Sequence, residues 1–111
     1  MKAAVLLLLP PLLGIAYVQY GRLQLRARYR QQGWAVAMSG RNSIKYKERV
    51  LETDHEIEFS RDIDSIGRIL WVPSEERWNR ELPSWAMNRR AEILQRIKST
   101  GIGAAHRFEV R

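Results

Sequence analysis

Few side chains in this sequence of 111 residues could act as nucleophiles, general bases or metal ligands. The sequence contains no cysteine, which excludes disulfides, thiolate metal sites and cysteine nucleophiles. Its histidines are His55 and His106, and both fall on the inward face of a predicted strand, where a packed histidine is more common than a ligand or a catalytic base. We find no phosphate-binding glycine loop, nucleophile motif or zinc signature. The sequence therefore predicts a protein that is not an enzyme and that uses no cofactor or metal ion.

Three acidic residues, Asp54, Glu56 and Glu58, occur at alternate positions of one short segment. This spacing could form a cation site or a pair of catalytic acids. Basic residues alternate in the same way over residues 43–50, so the two segments can pair as strands whose opposite charges meet on one face. We favour this pairing because it explains the acidic residues without a ligand.

Tryptophans and arginines alternate in the C-terminal half of the chain, where Trp71, Trp78 and Trp85 recur every seven residues. Such a set can pack a core, form a protein interface or stack nucleic-acid bases, and we favour these interpretations in that order. Nucleic acid comes last because most of the formal net charge of +7 lies in residues 1–33, whereas residues 34–111 hold 14 basic and 12 acidic residues. The candidate surface for a protein partner consists of Trp78, Trp85, Arg89, Arg90 and Arg96.

Hydrophobic periodicity after Gly33 predicts the elements that would position these side chains. Short segments alternate between apolar and polar residues, as strands do, and residues 83–99 carry the amphipathic stripe of a helix that packs on a sheet. We therefore expect an α+β fold, with an N-terminal hydrophobic helix, then a small antiparallel sheet packed by one amphipathic helix, and a final strand. The predicted strands cover residues 34–39, 43–50, 55–60, 68–72 and 105–110.

The second and third predicted strands form a hairpin in which opposite charges meet. Glu48 is the exception, because it shares the apolar face with Tyr46 and therefore has to lie near an edge or find a partner. We place Val50 opposite His55, across a loop of residues 51–54. In this register Arg49 faces Glu56, Lys47 faces Glu58 and Tyr46 faces Phe59.

Residues 3–18 carry no charge, and so apolar a run beside Met1 predicts a membrane anchor or a secretory leader. A leader is favoured by Pro10 and Pro11, which would break the helix, and by the small residues that precede a possible cleavage site after Ala16. We favour the anchor, because positive charge that follows such a segment is retained in the cytoplasm and tyrosines suit the membrane interface. The flanking residues are Tyr17, Tyr20, Arg22, Arg26, Arg28 and Arg30.

These features predict a membrane anchor or signal peptide over residues 1–20, a basic juxtamembrane helix over residues 21–33 and a small α+β domain over residues 34–111. We expect a bacterial protein that crosses the inner membrane once and whose soluble cytoplasmic domain binds a protein partner without catalysis. One alternative is an exported, periplasmic or secreted domain whose leader is removed. The order of hairpins, helix and final strand also resembles small bacterial immunity-type domains, which implies an inhibitor, and the basic C-terminal helix would suit a nucleic-acid-binding module. The sequence does not fix an oligomeric state.

Overall fold

A computed structural model describes residues 20–111, which form a five-stranded sheet and the helices that pack on it. This architecture confirms the predicted α+β class. The strands follow one another across the sheet in chain order: β1 (Trp34–Met38), β2 (Ser43–Val50), β3 (Thr53–Ile63), β4 (Arg68–Val72) and β5 (His106–Val110). The helices are α1, described over residues 20–32, α2 (Glu75–Glu81), α3 (Arg90–Ser99) and α4 (Gly101–Ala104), with a 3₁₀ turn at Ser84–Ala86.

The structure corrects the prediction of a transmembrane protein of the inner membrane. Within residues 20–111, no helix is long and apolar enough to cross a membrane. The described part of α1 carries four arginines, and charged side chains are costly in hydrocarbon. Residues 1–19 lie outside the described residues, and they hold the predicted anchor, including Tyr17 but not Tyr20, together with the alternative cleavage site after Ala16. The membrane assignment is therefore wrong for the chain as described.

One face of the sheet packs against the helices and forms the core. β1 to β4 run antiparallel as a meander, whereas β5 lies parallel to β4, so the chain crosses over through α2, α3 and α4 between these two strands. Trp78 of α2 and Ile93 and Ile97 of α3 are fully buried. The strand residues that form this core with them are Val36, Ile44, Tyr46, Ile57, Phe59, Leu70 and Val72.

The β2–β3 hairpin keeps the predicted faces but not the predicted register. Val50 pairs with Thr53 rather than with His55, so every pair is displaced by two residues along β3. The cause is a two-residue turn in which Leu51 and Glu52 adopt positive φ values of 50° and 65°. Because the displacement is an even number, each side chain stays on the face that alternation predicts.

The helix predicted over residues 83–99 is broken into two pieces. The chain forms a 3₁₀ turn at Ser84–Ala86, and Asn88 then takes a positive φ of 63°, which a continuous right-handed helix does not allow. α3 therefore forms as a separate helix. After it, Gly103 lets the short α4 approach the backbone of α3, since a Cβ at this position would lie 1.8 Å from the carbonyl oxygen of Ile97.

β3 is longer than both of its neighbours, and this leaves part of one edge open. It pairs with β2 over residues 53–60 but with β4 only over residues 61–63. β4 stops because Pro73 cannot donate to a strand ladder and Ser74 caps α2 by accepting the backbone N–H of Arg77 at 3.3 Å. Residues 54–58 of β3 therefore have no strand beside them on this edge among the described residues.

Candidate interaction surfaces

Trp78, the first residue of the predicted partner surface, belongs to the core. Its side chain is fully buried, and its ring stacks on Phe59 with 5.8 Å between centroids. Its indole Nε1–H donates to the backbone carbonyl of Ala86 at 2.8 Å, as a buried indole N–H requires. Trp78 therefore stabilises the contact between α2 and the 3₁₀ turn, and it is enclosed within the domain.

Arg89 and Arg96, two further residues of that predicted surface, converge on the buried carboxylate of Glu48. Arg89 donates to both oxygens of Glu48, at 2.5 and 2.8 Å, and Arg96 donates to Oε1 at 2.5 Å. The hydroxyl of Tyr46 donates to the same oxygen at 2.7 Å. Glu92 pairs with both guanidiniums, at 3.0 and 2.9 Å. We call these five residues the Glu48 cluster.

The electrostatics of the Glu48 cluster favour its ion pairs. Burial alone would raise the pKa of Glu48, but the hydrogen bonds from Arg89 and Tyr46 and the charges of both arginines outweigh it and lower that pKa. The hydrogen bonds with Glu48 and Glu92 raise the pKa of Arg89. Burial and the hydrogen bond to Glu48 raise the pKa of Tyr46, so its hydroxyl stays protonated and continues to donate. The cluster is thus an internal brace whose charges neutralise one another.

An aromatic stack covers the Glu48 cluster and includes Trp85, the second tryptophan of the predicted surface. Trp85 stacks on Tyr46 and on His55, with 6.5 and 5.3 Å between ring centroids. Trp34 also stacks on Tyr46, at 6.2 Å, and the guanidinium of Arg96 lies 5.6 Å from the centre of the Trp34 ring. His55 therefore contributes packing to this stack.

Arg90 and His106 also make internal contacts. Arg90 Nε donates to the carbonyl of Pro73 at 2.9 Å and ties the start of α3 to the end of β4. His106 is buried at the start of β5, and its Nδ1 lies 2.7 Å from the carbonyl oxygen of Ile102. The side chains that the sequence assigned to a partner surface are thus engaged with one another or with the core.

α1, which was predicted as a basic juxtamembrane helix, lies on the other side of the sheet and forms a cleft with β1 and β2. Arg26 and Arg30 of α1 face Lys45 and Lys47 of β2 across a cavity of about 280 Å³. These lysines alternate with core residues of β2 and so lie on the face away from the helical layer. We call this cavity the basic cleft, and its lining consists of Leu25, Arg26, Tyr29, Arg30, Ala35, Ala37, Lys45 and Lys47.

The other described residues that were predicted to flank an anchor do not line the basic cleft. Tyr20 and Arg22 are exposed on α1, and the hydroxyl of Tyr20 accepts a hydrogen bond from Gln24 at 2.9 Å. Arg28 lines an adjoining depression beside Trp34, which shares Leu25 and Ala35 with the basic cleft. Of the members of that set that the structure describes, Arg26 and Arg30 alone line the basic cleft.

A second cleft, of about 150 Å³, lies beside the open edge of β3 where β4 ends. Ile57 and Leu82 contribute apolar lining, and the guanidinium of Arg111 lies 5.4 Å from the centre of the Trp71 ring. Arg77 donates to the backbone carbonyl of Arg111 at 2.6 Å and holds this residue in place. We call this cavity the β3 cleft.

Sequence reasoning found neither cleft, although weak signals for both were present. Pro73 marks the end of β4, and the four-residue spacing of Arg22, Arg26 and Arg30 marks one face of α1. Neither signal tells which surface lies opposite, because that depends on contacts between residues that are distant in the chain.

Neither the side-chain geometry nor similarity to other proteins assigns a catalytic activity. In the part of the chain that the structure describes, no group of three or more His, Cys, Asp or Glu side chains is placed to hold a metal ion. Comparisons with protein-family models, curated proteins and solved structures found no match. The function therefore has to be inferred from the surfaces themselves.

Proposed function

We propose that this protein is a non-catalytic interaction domain that binds an extended segment of a partner protein along the open edge of β3. The observation that carries the proposal is the absence of a neighbouring strand at residues 54–58 within the described chain, directly beside the β3 cleft. Addition of a strand to such an edge is a recurring mode of peptide recognition.

The direction of the backbone groups of β3 follows from one hydrogen bond. The N–H of Arg61 donates to the carbonyl of Asn42 at 2.8 Å and so points toward β2. Because backbone groups alternate sides along an antiparallel strand, those of residues 55, 57 and 59 also point toward β2. The N–H and C=O groups of Asp54, Glu56 and Glu58 point toward the open edge, where an added strand can pair with them.

The β3 cleft supplies contacts that would make binding selective. Its lining is apolar where Ile57, Trp71 and Leu82 contribute, which suits an aliphatic or aromatic side chain. The guanidinium of Arg111 lies over Trp71, where it can pair with a carboxylate of the partner. We therefore expect the bound segment to carry an apolar residue close to an acidic one.

The short edge predicts a weak and transient complex. Three residues can each contribute a donor and an acceptor, and a protein hydrogen bond contributes only about 0.5–1.5 kcal/mol net. Interfaces that bury less than about 1,200 Å² are typical of transient encounters. We therefore expect dissociation constants on the order of micromolar.

A nucleic-acid-binding module on α3 has less support. Arg89 and Arg96 are paired with Glu48 and Glu92, and Arg90 binds a backbone carbonyl. These contacts neutralise or occupy the cations that phosphate binding would need. A protein partner therefore remains the preferred proposal.

Selection of peptides from a random library against the full-length protein tests the proposal. Selected peptides should combine an apolar residue with a nearby acidic one. Glu56→Pro removes the N–H that points to the open edge and leaves the ladder with β2 in place, so it should weaken peptide binding at least about tenfold. Glu56→Gln is the matched control, because it keeps that N–H and should bind within about twofold of the wild type.

Backbone amide exchange provides a second measurement. In the free protein the N–H of Glu56 should exchange rapidly, whereas those of His55 and Ile57 should exchange slowly, and a bound peptide should protect Glu56. Slow exchange at Glu56 without peptide would mean that the edge is already covered. Equal peptide binding by folded Glu56→Pro and Glu56→Gln would place the binding site elsewhere. Either result would refute the proposal.

A further inference from the structure

The four cations of the basic cleft come from two elements that face each other. Arg26 and Arg30 are one helical turn apart on α1, and Lys45 and Lys47 occupy alternate positions of β2, so each pair lies on one side of its element. Like charges that face each other across a cleft repel, and a bound anion removes this repulsion. The arrangement therefore favours a negatively charged ligand.

Carboxylates of β3 offset part of the lysine charge, because Lys45 and Lys47 face Glu58 and Glu56 in the β2–β3 ladder. Arg26 and Arg30 form no ion pair within the described residues. Within residues 20–111, Lys45 is the one member of the four that forms an ion pair, with Glu56 at 3.4 Å. Lys47 lies instead over the ring of Tyr29, 5.7 Å from its centre. Residues 1–19 contain neither Asp nor Glu, so they cannot supply a side-chain carboxylate either.

The position of α1 over the sheet is fixed by contacts at its C-terminal end. Gly33 ends the helix with a φ of +79°, and its N–H donates to the carbonyl of Tyr29 at 2.8 Å. The carbonyl of Gly33 accepts the N–H of Arg49 of β2, also at 2.8 Å. The hydroxyl of Tyr29 donates to Asp54 of β3. α1 is thereby attached to two strands, and the cleft beside it is a built feature of the fold.

The lining between the cations is mostly apolar. Ala35 and Ala37 of β1 leave space because their side chains are small, and Leu25 and Tyr29 form a wall from α1. The volume of about 280 Å³ is close to the lower end of the range for small-molecule sites, roughly 300–1,000 Å³. An inorganic anion would leave the apolar lining in contact with water, whereas an anion with an apolar body would cover it.

We infer that the basic cleft binds a small soluble organic anion, in which a phosphate, sulfonate or carboxylate group is attached to an apolar body. The anionic group pairs with the arginines and lysines, and the body lies on Ala35 and Ala37. The basic cleft and the β3 cleft share no lining residue, although Lys45 and Tyr29 of the basic cleft contact Glu56 and Asp54 of the β3 edge.

Titration calorimetry of the full-length protein with hexyl phosphate and with inorganic phosphate tests this inference. Hexyl phosphate should bind at least about tenfold more tightly, because its chain covers the apolar lining. The double variant Arg30→Gln, Lys47→Gln should weaken hexyl phosphate binding about tenfold. Arg41→Gln is the matched control, since Arg41 is exposed in the turn after β1, does not line the cleft and should leave binding within about twofold.

Ala37→Leu fills the cleft without changing its charge and should also weaken hexyl phosphate binding, with circular dichroism used to confirm that each variant is folded. Equal affinity for inorganic and hexyl phosphate would overturn the requirement for an apolar body. Unchanged binding in both the double variant and Ala37→Leu would place the anion elsewhere. Tighter binding to anionic vesicles than to hexyl phosphate would overturn the assignment to a soluble ligand.

Discussion

Replacing Glu48 by glutamine tests whether the Glu48 cluster braces the domain. The Glu48 side chain is 6 % exposed and accepts hydrogen bonds from Arg89, Arg96 and Tyr46. Glutamine has nearly the same shape but only one acceptor oxygen, and its amide nitrogen would face the guanidinium donors. Glu48→Gln therefore removes the ion pairs and sets a donor against a donor.

We expect Glu48→Gln to lower the free energy of unfolding by about 2–4 kcal/mol. Removing one partner of a fully buried ion pair costs about 3–5 kcal/mol, because the other charge is left without compensation. The side chains of Arg89 and Arg96 are 25 % and 30 % exposed, so water can partly solvate them and reduce that cost. Domains are stable by only about 5–15 kcal/mol, so a loss of this size is readily measured.

Urea unfolding of the full-length protein at neutral pH measures this change. Glu92→Gln is the matched control, because Glu92 contacts the same two arginines from a position that is 47 % exposed. This control should lose at most about 1 kcal/mol, as exposed ion pairs do. Equal losses in the two variants, or a loss below about 1 kcal/mol in Glu48→Gln, would refute the assignment of the brace to Glu48.

The same comparison at low pH checks the electrostatic origin of the effect. The folded-state pKa of Glu48 is lowered, so its contribution to stability is full above the unfolded pKa of about 4.3 and is lost as the pH falls through the folded value. The difference in stability between the wild type and Glu48→Gln should therefore shrink below about pH 4. A difference that stays constant with pH would show that packing rather than charge sets it.

Three further substitutions probe contacts that hold the elements in place. Gly103→Ala should destabilise the domain by at least about 2 kcal/mol and lower Tm in thermal unfolding, because the new Cβ would collide with the carbonyl oxygen of Ile97. Trp78→Phe should cost about 2–4 kcal/mol in urea unfolding, because it leaves a cavity and removes the hydrogen bond from the indole to the carbonyl of Ala86. Partial burial and the hydrogen bond to Asp54 raise the pKa of Tyr29 to about 12. The contribution of this residue to stability is therefore present below about pH 10 and is lost as the pH rises toward 12. Tyr29→Phe should remove this titration from the ultraviolet absorbance. The contact of Gly103 would be contradicted by an unchanged Tm in Gly103→Ala. That of Trp78 would be contradicted if Trp78→Phe were as stable as the wild type, and that of Tyr29 by a titration near about pH 10.

The faces of β2 and β3 could be predicted from the sequence, but their register could not. Alternation of apolar and polar residues determines which side chains point inward, whatever the pairing. The register depends on the turn, and Leu51 and Glu52 are neither glycine nor asparagine, the usual signals of a two-residue turn. Opposite charges also meet in both registers, since Lys47 faces Glu56 in the structure and Glu58 in the predicted pairing. Charge matching therefore could not choose between them.

The partners of Glu48 could not be predicted from the sequence, although its unusual position could. Its position on the inward face predicted that it would lie near an edge or find a partner, and the structure shows the partners. Its partners Arg89 and Arg96 lie 41 and 48 residues later, and their direction depends on the break at Asn88 that separates the 3₁₀ turn from α3. The amphipathic stripe predicted one continuous helix there, because a single residue in the left-handed region leaves no mark in hydrophobic periodicity.

The positions of the two clefts are determined by the residues at which strands and helices end. Pro73 stops β4 while β3 continues, and Gly33 turns the chain from α1 into β1. The sequence marks both stops but not the surfaces that they leave facing each other. The membrane prediction had a different origin, because it drew mainly on residues 3–18, which the structure does not describe, and residues 20–111 hold no helix of the required length and hydropathy.

The parallel pairing of β5 with β4 has a consequence for the order in which the domain folds. The antiparallel ladders from β1 to β4 join strands that are separated by short turns, so they can form from local contacts. β5 reaches β4 only after the crossover of residues 73–105, and closing so long a loop costs more chain entropy. We expect the meander to assemble first and β5 to dock last. Since unfolding retraces the same barrier, detachment of β5 should be the step with which unfolding begins.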